Sequence, residues 1–251
     1  MNRPPLMFAG LLASMLGWSA LSTYLERSEF PIARFLPGPI AVAQEGFRLM
    51  GTEAFWNAFA ASNGRILMAF LLAMIAGVGV GLLTAWSSQL RAFLQPSLVL
   101  LRYTPVAAIV PLSIVFLGVS NSQKVVVLFL GCVFYIVVLT QDAVLRFPVA
   151  HIDSARSLGL GRAEILRRVI VPGIAPEIFD TARVAIGLTW SYLLVAEVVA
   201  AESGMGFLLM RAQRFLRIDQ MLFLMLTLAT IGLIYDNLFV LTRRYVFPWT
   251  R

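Results

Sequence analysis

The sequence predicts an all-α, polytopic membrane bundle of about six transmembrane helices, each needing roughly 20 apolar residues to cross a bilayer. Two observations carry this. Hydrophobic residues make up 59% of the 251 residues and charged ones only 13%, with a mean hydropathy of +0.84. A soluble domain carries about a quarter charged residues, so this balance fits a chain solvated by lipid. The apolar residues also gather into separate segments of span length. The formal charge of +7 fits arginines that flank spans and meet anionic lipid, and no nucleic-acid partner is expected.

The segments are justified in chain order. Residues 6–25, preceded by Arg3, form the first span; a basic start and a Ser/Ala-rich end would also suit a signal peptide, but the length favours a retained anchor. That sets a first division at 1–25. Residues 26–64 are mixed, with Pro31, Pro37 and Pro39, and are expected to form an external loop carrying an interfacial helix between Ile40 and Phe59. The remainder, 65–251, is the core of five spans. Span two is 66–86. Span three, 93–117, is broken by Pro105 and Pro111. Span four is 125–140, a polar loop fills 141–182, and spans five and six are 184–201 and 221–241.

Arginines orient these spans. Arg91, Arg146, Arg156, Arg162, Arg167, Arg168, Arg243 and Arg244 fall inside if the amino terminus is inside, as do Arg3 and Arg251. Lys124, Arg211, Arg214 and Arg217 then fall outside in short loops, with Arg27, Arg34, Arg48 and Arg65 in the long one. Both termini and the 141–182 loop are therefore expected in the cytoplasm. Cys132 lies in an apolar run and is expected to be inert packing. His151 has no second histidine or clustered carboxylates and thiols beside it, so no metal site is expected.

The polar loop has a pattern of its own. Asp153 can cap a short helix to Leu158, and Gly159 can end it in the left-handed conformation. A second helix is expected from Arg162 to Val169, broken by Pro172 and Pro176 before span five. Two short helices in fixed order suit docking to a soluble partner better than a plain connector would.

These residues resemble the EAA motif of binding-protein-dependent ATP-binding cassette importer permeases. That pattern is Glu-Ala-Ala, three residues, Gly, nine residues, Ile, one residue, Leu-Pro. Here Asp153-Ser154-Ala155, Gly159, Val169 and Val171-Pro172 keep the spacing, with Asp for Glu, Ser for Ala, Val for Ile and Val for Leu. The likeness spans residues 36–250. Leu36-Pro37-Gly38-Pro39, Arg65, Gly77 to Gly81, Arg102-Tyr103-Thr104-Pro105, Pro111-Leu112, Phe116-Leu117-Gly118, Ala196-Glu197, Gly204-Met205-Gly206 and Pro248-Trp249 resemble the nitrate, sulfonate, taurine and bicarbonate subgroup.

The resemblance implies a type I importer permease fold and a transmembrane subunit in a bacterial inner membrane. It implies a second copy of the chain as partner and two ATPase subunits on the cytoplasmic face. They would be gripped through Asp153, Ser154, Ala155, Ser157, Leu158, Gly159, Val169 and Pro172. An extracytoplasmic binding protein would deliver a small solute, most simply an anion. ATP and Mg would be used by the partners. In keeping with this, no Gly-x-x-x-x-Gly-Lys-Ser/Thr loop occurs, and Gly159-Leu160-Gly161-Arg162 lacks the lysine and a preceding strand. No catalytic residue and no bound cofactor are expected. A stand-alone secondary carrier is the alternative, although paired halves with broken helices are not evident.

Other residues within the spans have two readings each. Tyr103, Pro105 and Pro111 shape a path or gate, or are kinks satisfied by neighbouring helices. Gly77 and Gly81 suit close helix packing, with lining of the pathway as the other reading. Glu197 is costly in lipid and should pair with Arg102, Arg183 or backbone amides, or face the path directly. Asp236 and Asn237 suit bonding between helices. Arg211, Arg214 and Arg217, three residues apart, are expected on one helical face, either as a headgroup stripe or as a docking patch for an acidic face of the binding protein.

Overall fold

A computed structural model describes residues 4–27, 36–200 and 202–250. Arg3, Pro31, Arg34 and Arg251 lie outside them. Among the described residues there is no strand. The helices are α1 (Pro4–Arg27), α2 (Pro39–Met50), α3 (Glu53–Trp86), α4 (Ser88–Tyr103), α5 (Val106–Leu117), α6 (Asn121–Leu145), α7 (Val149–Ser157), α8 (Arg162–Ile165), α9 (Val171–Ala200), α10 (Met205–Arg214) and α11 (Ile218–Val246). Four described helices are long and apolar enough to cross a membrane, five if the bent pair α4–α5 counts as one span. The predicted first span forms α1, whose 24 residues suffice in length.

Two predicted boundaries move. The expected interfacial helix over 40–59 is split at Gly51-Thr52. There the N–H of Thr52 and its hydroxyl both bond to the Leu49 carbonyl, at 2.9 and 2.6 Å, and the same hydroxyl accepts from the Phe55 N–H at 3.4 Å. Thr52 thus ends α2 and opens α3. From Glu53 nothing interrupts the helix until Trp86, so span two begins well before Ile66. The polar residues Ser62 and Arg65, which resemble a flank in sequence, are buried inside this helix.

The chain divides into two compact units. Unit one is Met1–Ala60 with Glu202–Thr230. Here Trp18 Nε1 donates to the Pro37 carbonyl at 3.2 Å, and Phe55 and Phe223 pack with ring centroids 6.1 Å apart. Gly46 lies flat against the Phe223 ring, where any Cβ would collide.

Unit two is Ala61–Ala201 with Ile231–Arg251. The centre is α6, with Cys132, Val133, Ile136 and Val137 packed among Ala73, Leu98 and Ala185. Gly77 and Gly81 let α3 close onto it. A Cβ on Gly77 would stand 2.6 Å from Ile136 Cγ2, and one on Gly81 would stand 2.8 Å from the Val137 carbonyl oxygen. This is the small-residue approach expected of membrane helices. Cys132 is buried with its sulfur 3.0 Å from the Thr189 hydroxyl, as expected of an inert packing residue.

Span three is not merely kinked. Thr104, held extended ahead of Pro105, ends α4, and α5 leaves at 99° to it. Pro111 sits inside α5 without ending it.

Candidate functional site

The predicted loop is built on a nine-residue helix, α7, capped by Pro148 rather than by Asp153. The physical reason lies in Phe147-Pro148: the proline fixes φ and donates no N–H, so the helix starts there and Asp153 falls mid-helix. Asp153 pairs instead with Arg156 one turn on, at 3.2 Å. The hydroxyls of Ser154 and Ser157 donate back to the Ala150 and Asp153 carbonyls at 2.8 and 3.0 Å.

The helix ends as expected. Gly159 has φ +82°. Its N–H donates to the Arg156 carbonyl at 2.9 Å, and the Leu160 N–H reaches the Ala155 carbonyl at 3.2 Å. This is the Schellman closure, complete with the apolar contact that accompanies it. Leu160 packs on a small cluster of Ala143, Ala155, Ile165, Ile170 and Ile174. One face of α7 is thereby bolted down through Ala155, while Leu158 stands 81% exposed at its tip.

Beyond Gly161 the loop does not break where the prolines predict. Glu164 accepts the Gly161 N–H at 3.2 Å and starts α8. A π-helical turn over Leu166–Ile170 then carries the chain directly into α9, with the Val171 N–H bonded to the Leu166 carbonyl. A proline breaks a helix by its missing N–H and its clash with the preceding turn. Pro172 falls where the wider turn meets α9, so the rod continues, and Pro176 lies within it. A cavity of about 260 Å³ lies under the loop, lined by Trp86, Ile152, Arg156, Arg162, Ile165 and Ile170.

Three ion pairs join the long helices of this unit among the described residues. Arg65 Nη1 donates to Glu197 Oε1 at 2.5 Å, and the Ser62 hydroxyl donates to both carboxylate oxygens at 2.8 and 3.0 Å. Arg65 also donates to Asn121 Oδ1, at 3.0 Å from Nε and 2.6 Å from Nη2. Glu197 is 0% exposed and Arg65 4%. The expected arginine partner exists, but it is neither Arg102 nor Arg183. Arg102 lies over Tyr103, 5.0 Å from the ring centroid. Arg183 grips Asp236, with Nη2 to Oδ2 at 2.7 Å, which is the bonding between helices expected of Asp236. Ser62 and Arg65, the partners of Glu197, and Asn121, which braces Arg65, carry one signal in the sequence, the i, i+3 spacing of Ser62 and Arg65 on α3. The Arg183–Asp236 pair and Arg243–Asp180, 2.7 Å apart, line a half-open groove of about 780 Å³ with Val184, Gly187 and Val240.

The remaining predicted residues separate. Tyr103 is exposed at the end of α4, and Pro105 forms the sharp bend after it. Arg211, Arg214 and Arg217 do not share one helical face, because α10 ends at Arg214. Leu216 takes φ +52° and turns Arg217 away, so Arg211 and Arg217 line a cavity with Arg48, and Arg214 does not. Val169 lies in the π-helical turn and packs on the Ala155 cluster.

Residues 77–247 match the family described as "Binding-protein-dependent transport system inner membrane component". A probable ABC transporter permease protein of Brucella melitensis is 32% identical over 85% of this chain and 87% of its own. The taurine transport system permease protein TauC of Escherichia coli is 31% identical over 86% of this chain and 80% of its own. The putative aliphatic sulfonates transport permease protein SsuC of the same organism is 32% identical over 95% and 86%. Among solved structures, a bacterial alginate ABC transporter has a chain of the same fold, with a TM-score of 0.70 at 14% identity over 97% of this chain and 96% of that one.

Proposed function

Because the chain belongs to the family of binding-protein-dependent transport system inner membrane components, we propose that it moves a small organic anion of the sulfonate type, driven through the α7 loop by ATPase subunits. It is the transmembrane permease subunit of an ABC importer. The relatives named for taurine and aliphatic sulfonates support the solute class. The observation that carries the coupling role is the build of the loop: a short helix bolted through Ala155, ended by a left-handed Gly159, and presenting Leu158 outward.

Asp153, Ser154, Ser157 and Leu158 form the face that meets the partner, while Ala155, Gly159, Val169 and Pro172 hold its shape. Each ATPase closing against this face would push the rod that begins at α8, a rigid-body switch biased by a small contact. The loop and both termini lie in the cytoplasm, and two ATPase subunits serve a pair of permease copies. The apolar faces around Leu100, Leu112, Val115 and Phe116, all exposed in the single chain, are the surface for the second copy. The bend after Tyr103, at Pro105, with Pro111 beyond it, belongs to the path, since a broken helix at membrane depth must line a cavity or lie within protein. Glu197, closed off behind Arg65 and Ser62, positions helices rather than touching solute. Arg214, with the exposed Phe215 and Leu216 beside it, is the docking point for the binding protein.

The test is Gly159→Val in the complex reconstituted with its ATPase and binding protein. The expected result is assembly with ATP hydrolysis no longer stimulated by the binding protein, and uptake lost. Normal uptake by that variant, or transport by the permease alone in liposomes, removes the coupling role.

A further inference from the structure

One cavity lies wholly within unit one and takes no part in the coupling loop. Its volume is about 600 Å³, within the range of roughly 300–1,000 Å³ that holds small molecules. Arg48, Arg211, Arg217 and Gln220 line it together with Phe55 and Phe215. Its lining is therefore both cationic and aromatic.

The charges do not cancel. Glu45 is the buried carboxylate of this cluster, and it accepts from Arg48 at 3.0 Å, from Arg217 at 3.1 Å and from Gln220 at 2.6 Å. Asp219 reaches Arg217 at 3.5 Å. Two carboxylates against three guanidiniums leave one positive charge over, and each guanidinium has five N–H donors to place. Arg211 makes no ion pair among the described residues.

The backbone is bent to make this cluster. The N–H of Leu216 bonds to the Gln213 carbonyl at 3.0 Å and that of Arg217 to the Ala212 carbonyl at 2.9 Å, closing α10 with a left-handed leucine. A side chain in that conformation costs roughly 1–2 kcal/mol relative to its ordinary one. Strain of this kind gathers at ligand sites, and here it turns Arg217 back to the cavity.

We infer that the cavity binds an organic oxoanion: a sulfonate-, carboxylate- or phosphate-type head held by Arg48, Arg211 and Arg217, with a short apolar body against Phe55 and Phe215. Guanidinium forks match the paired oxygens of such heads. The inference deepens the importer reading and rests on it for the ligand's role as solute. A soluble anion and a lipid headgroup share this chemistry.

The experiment places the full-length chain in phosphatidylcholine nanodiscs and titrates butanesulfonate, with butanol as the neutral control. Saturable butanesulfonate binding is expected, weakened about tenfold by Arg211→Gln, less by Arg211→Lys, and unchanged in Arg27→Gln, an exposed arginine outside the cavity lining. These side chains are exposed, so the unfolding temperature should not move. A second arm measures phosphatidylglycerol that co-purifies with the chain. Its retention, lost in Arg211→Gln, without butanesulfonate binding assigns the head to a lipid. Binding of neither, equal binding of butanol, or binding indifferent to Arg211→Gln overturns the site. The readout involves no ATPase, so its failure leaves the coupling test untouched, and failure of the coupling test leaves this binding intact.

Discussion

Two helices of this chain, α7 and α10, end in the same hydrogen-bonded turn, one closed by Gly159 and the other by Leu216. Glycine adopts a positive φ freely, so the first turn is relaxed. Leucine does not, so the second is strained. Open space surrounds Gly159, where an added Cβ would meet nothing within 4 Å. Sterics with neighbours are therefore not the reason for glycine there; backbone conformation is. At Leu216 the leucine side chain stands 71% exposed, so packing within the chain does not explain its retention. The contrast teaches that the α7 turn is built to hold a shape, whereas the α10 turn accepts strain to place Arg217 and to present an apolar tip.

Breaking the comparison starts with a yardstick for global damage. Arg65→Met removes the guanidinium that neutralises the buried Glu197, which should cost about 3–5 kcal/mol, and Arg65→Met/Glu197→Leu should recover much of it. Thermal unfolding of the purified chain measures both. A loss under about 1 kcal/mol in the single variant would mean that the pair is not the lock between α3 and α9 that its burial implies. Next comes Gly159→Val, which forces a β-branched residue into the left-handed region at about 2 kcal/mol. The damage should be local: stimulated ATP hydrolysis falls while the unfolding temperature moves far less than in Arg65→Met.

Leu216→Gly is the reverse experiment. Relief of strain should add up to about 1 kcal/mol, raising the unfolding temperature by roughly 2–4 °C, while stimulation by the binding protein declines as the apolar tip is lost. A fall in stability would show that the leucine has packing to offset its conformation. The smallest change is expected for Gly159→Asn, a few tenths of a kcal/mol, because asparagine tolerates the left-handed region. Uptake by that variant should be close to normal.

What the sequence made legible follows from how local each feature is. Gly159 as a helix end, and Gly77 with Gly81 as a contact face, depend on spacing along one helix and can be read from it. The cap at Pro148 was obscured because Asp153 is the better capping residue by type, yet the proline fixes the start earlier. Pro172 reads as a breaker, yet it falls in the first turn of α9, directly after the wider turn. Glu197 was identifiable as a carboxylate needing a partner, but Arg65 lies 132 residues away along the chain, and no periodicity reports that distance. The arginine cavity was half legible: Arg211 and Arg217 stand out, whereas Arg48 belongs to a distant helix and joins them only through folding.

The wide turn at Leu166–Ile170 has one more implication. It fuses the loop's second segment to α9 without a joint, giving a 38-residue run, Arg162–Val199, roughly 57 Å long at 1.5 Å per residue. A torque applied at its foot has no slack in which to dissipate. The extra residue in that coil sets the rotation of everything beyond it, so the faces that α9 turns to its neighbours are fixed at the foot of the shaft.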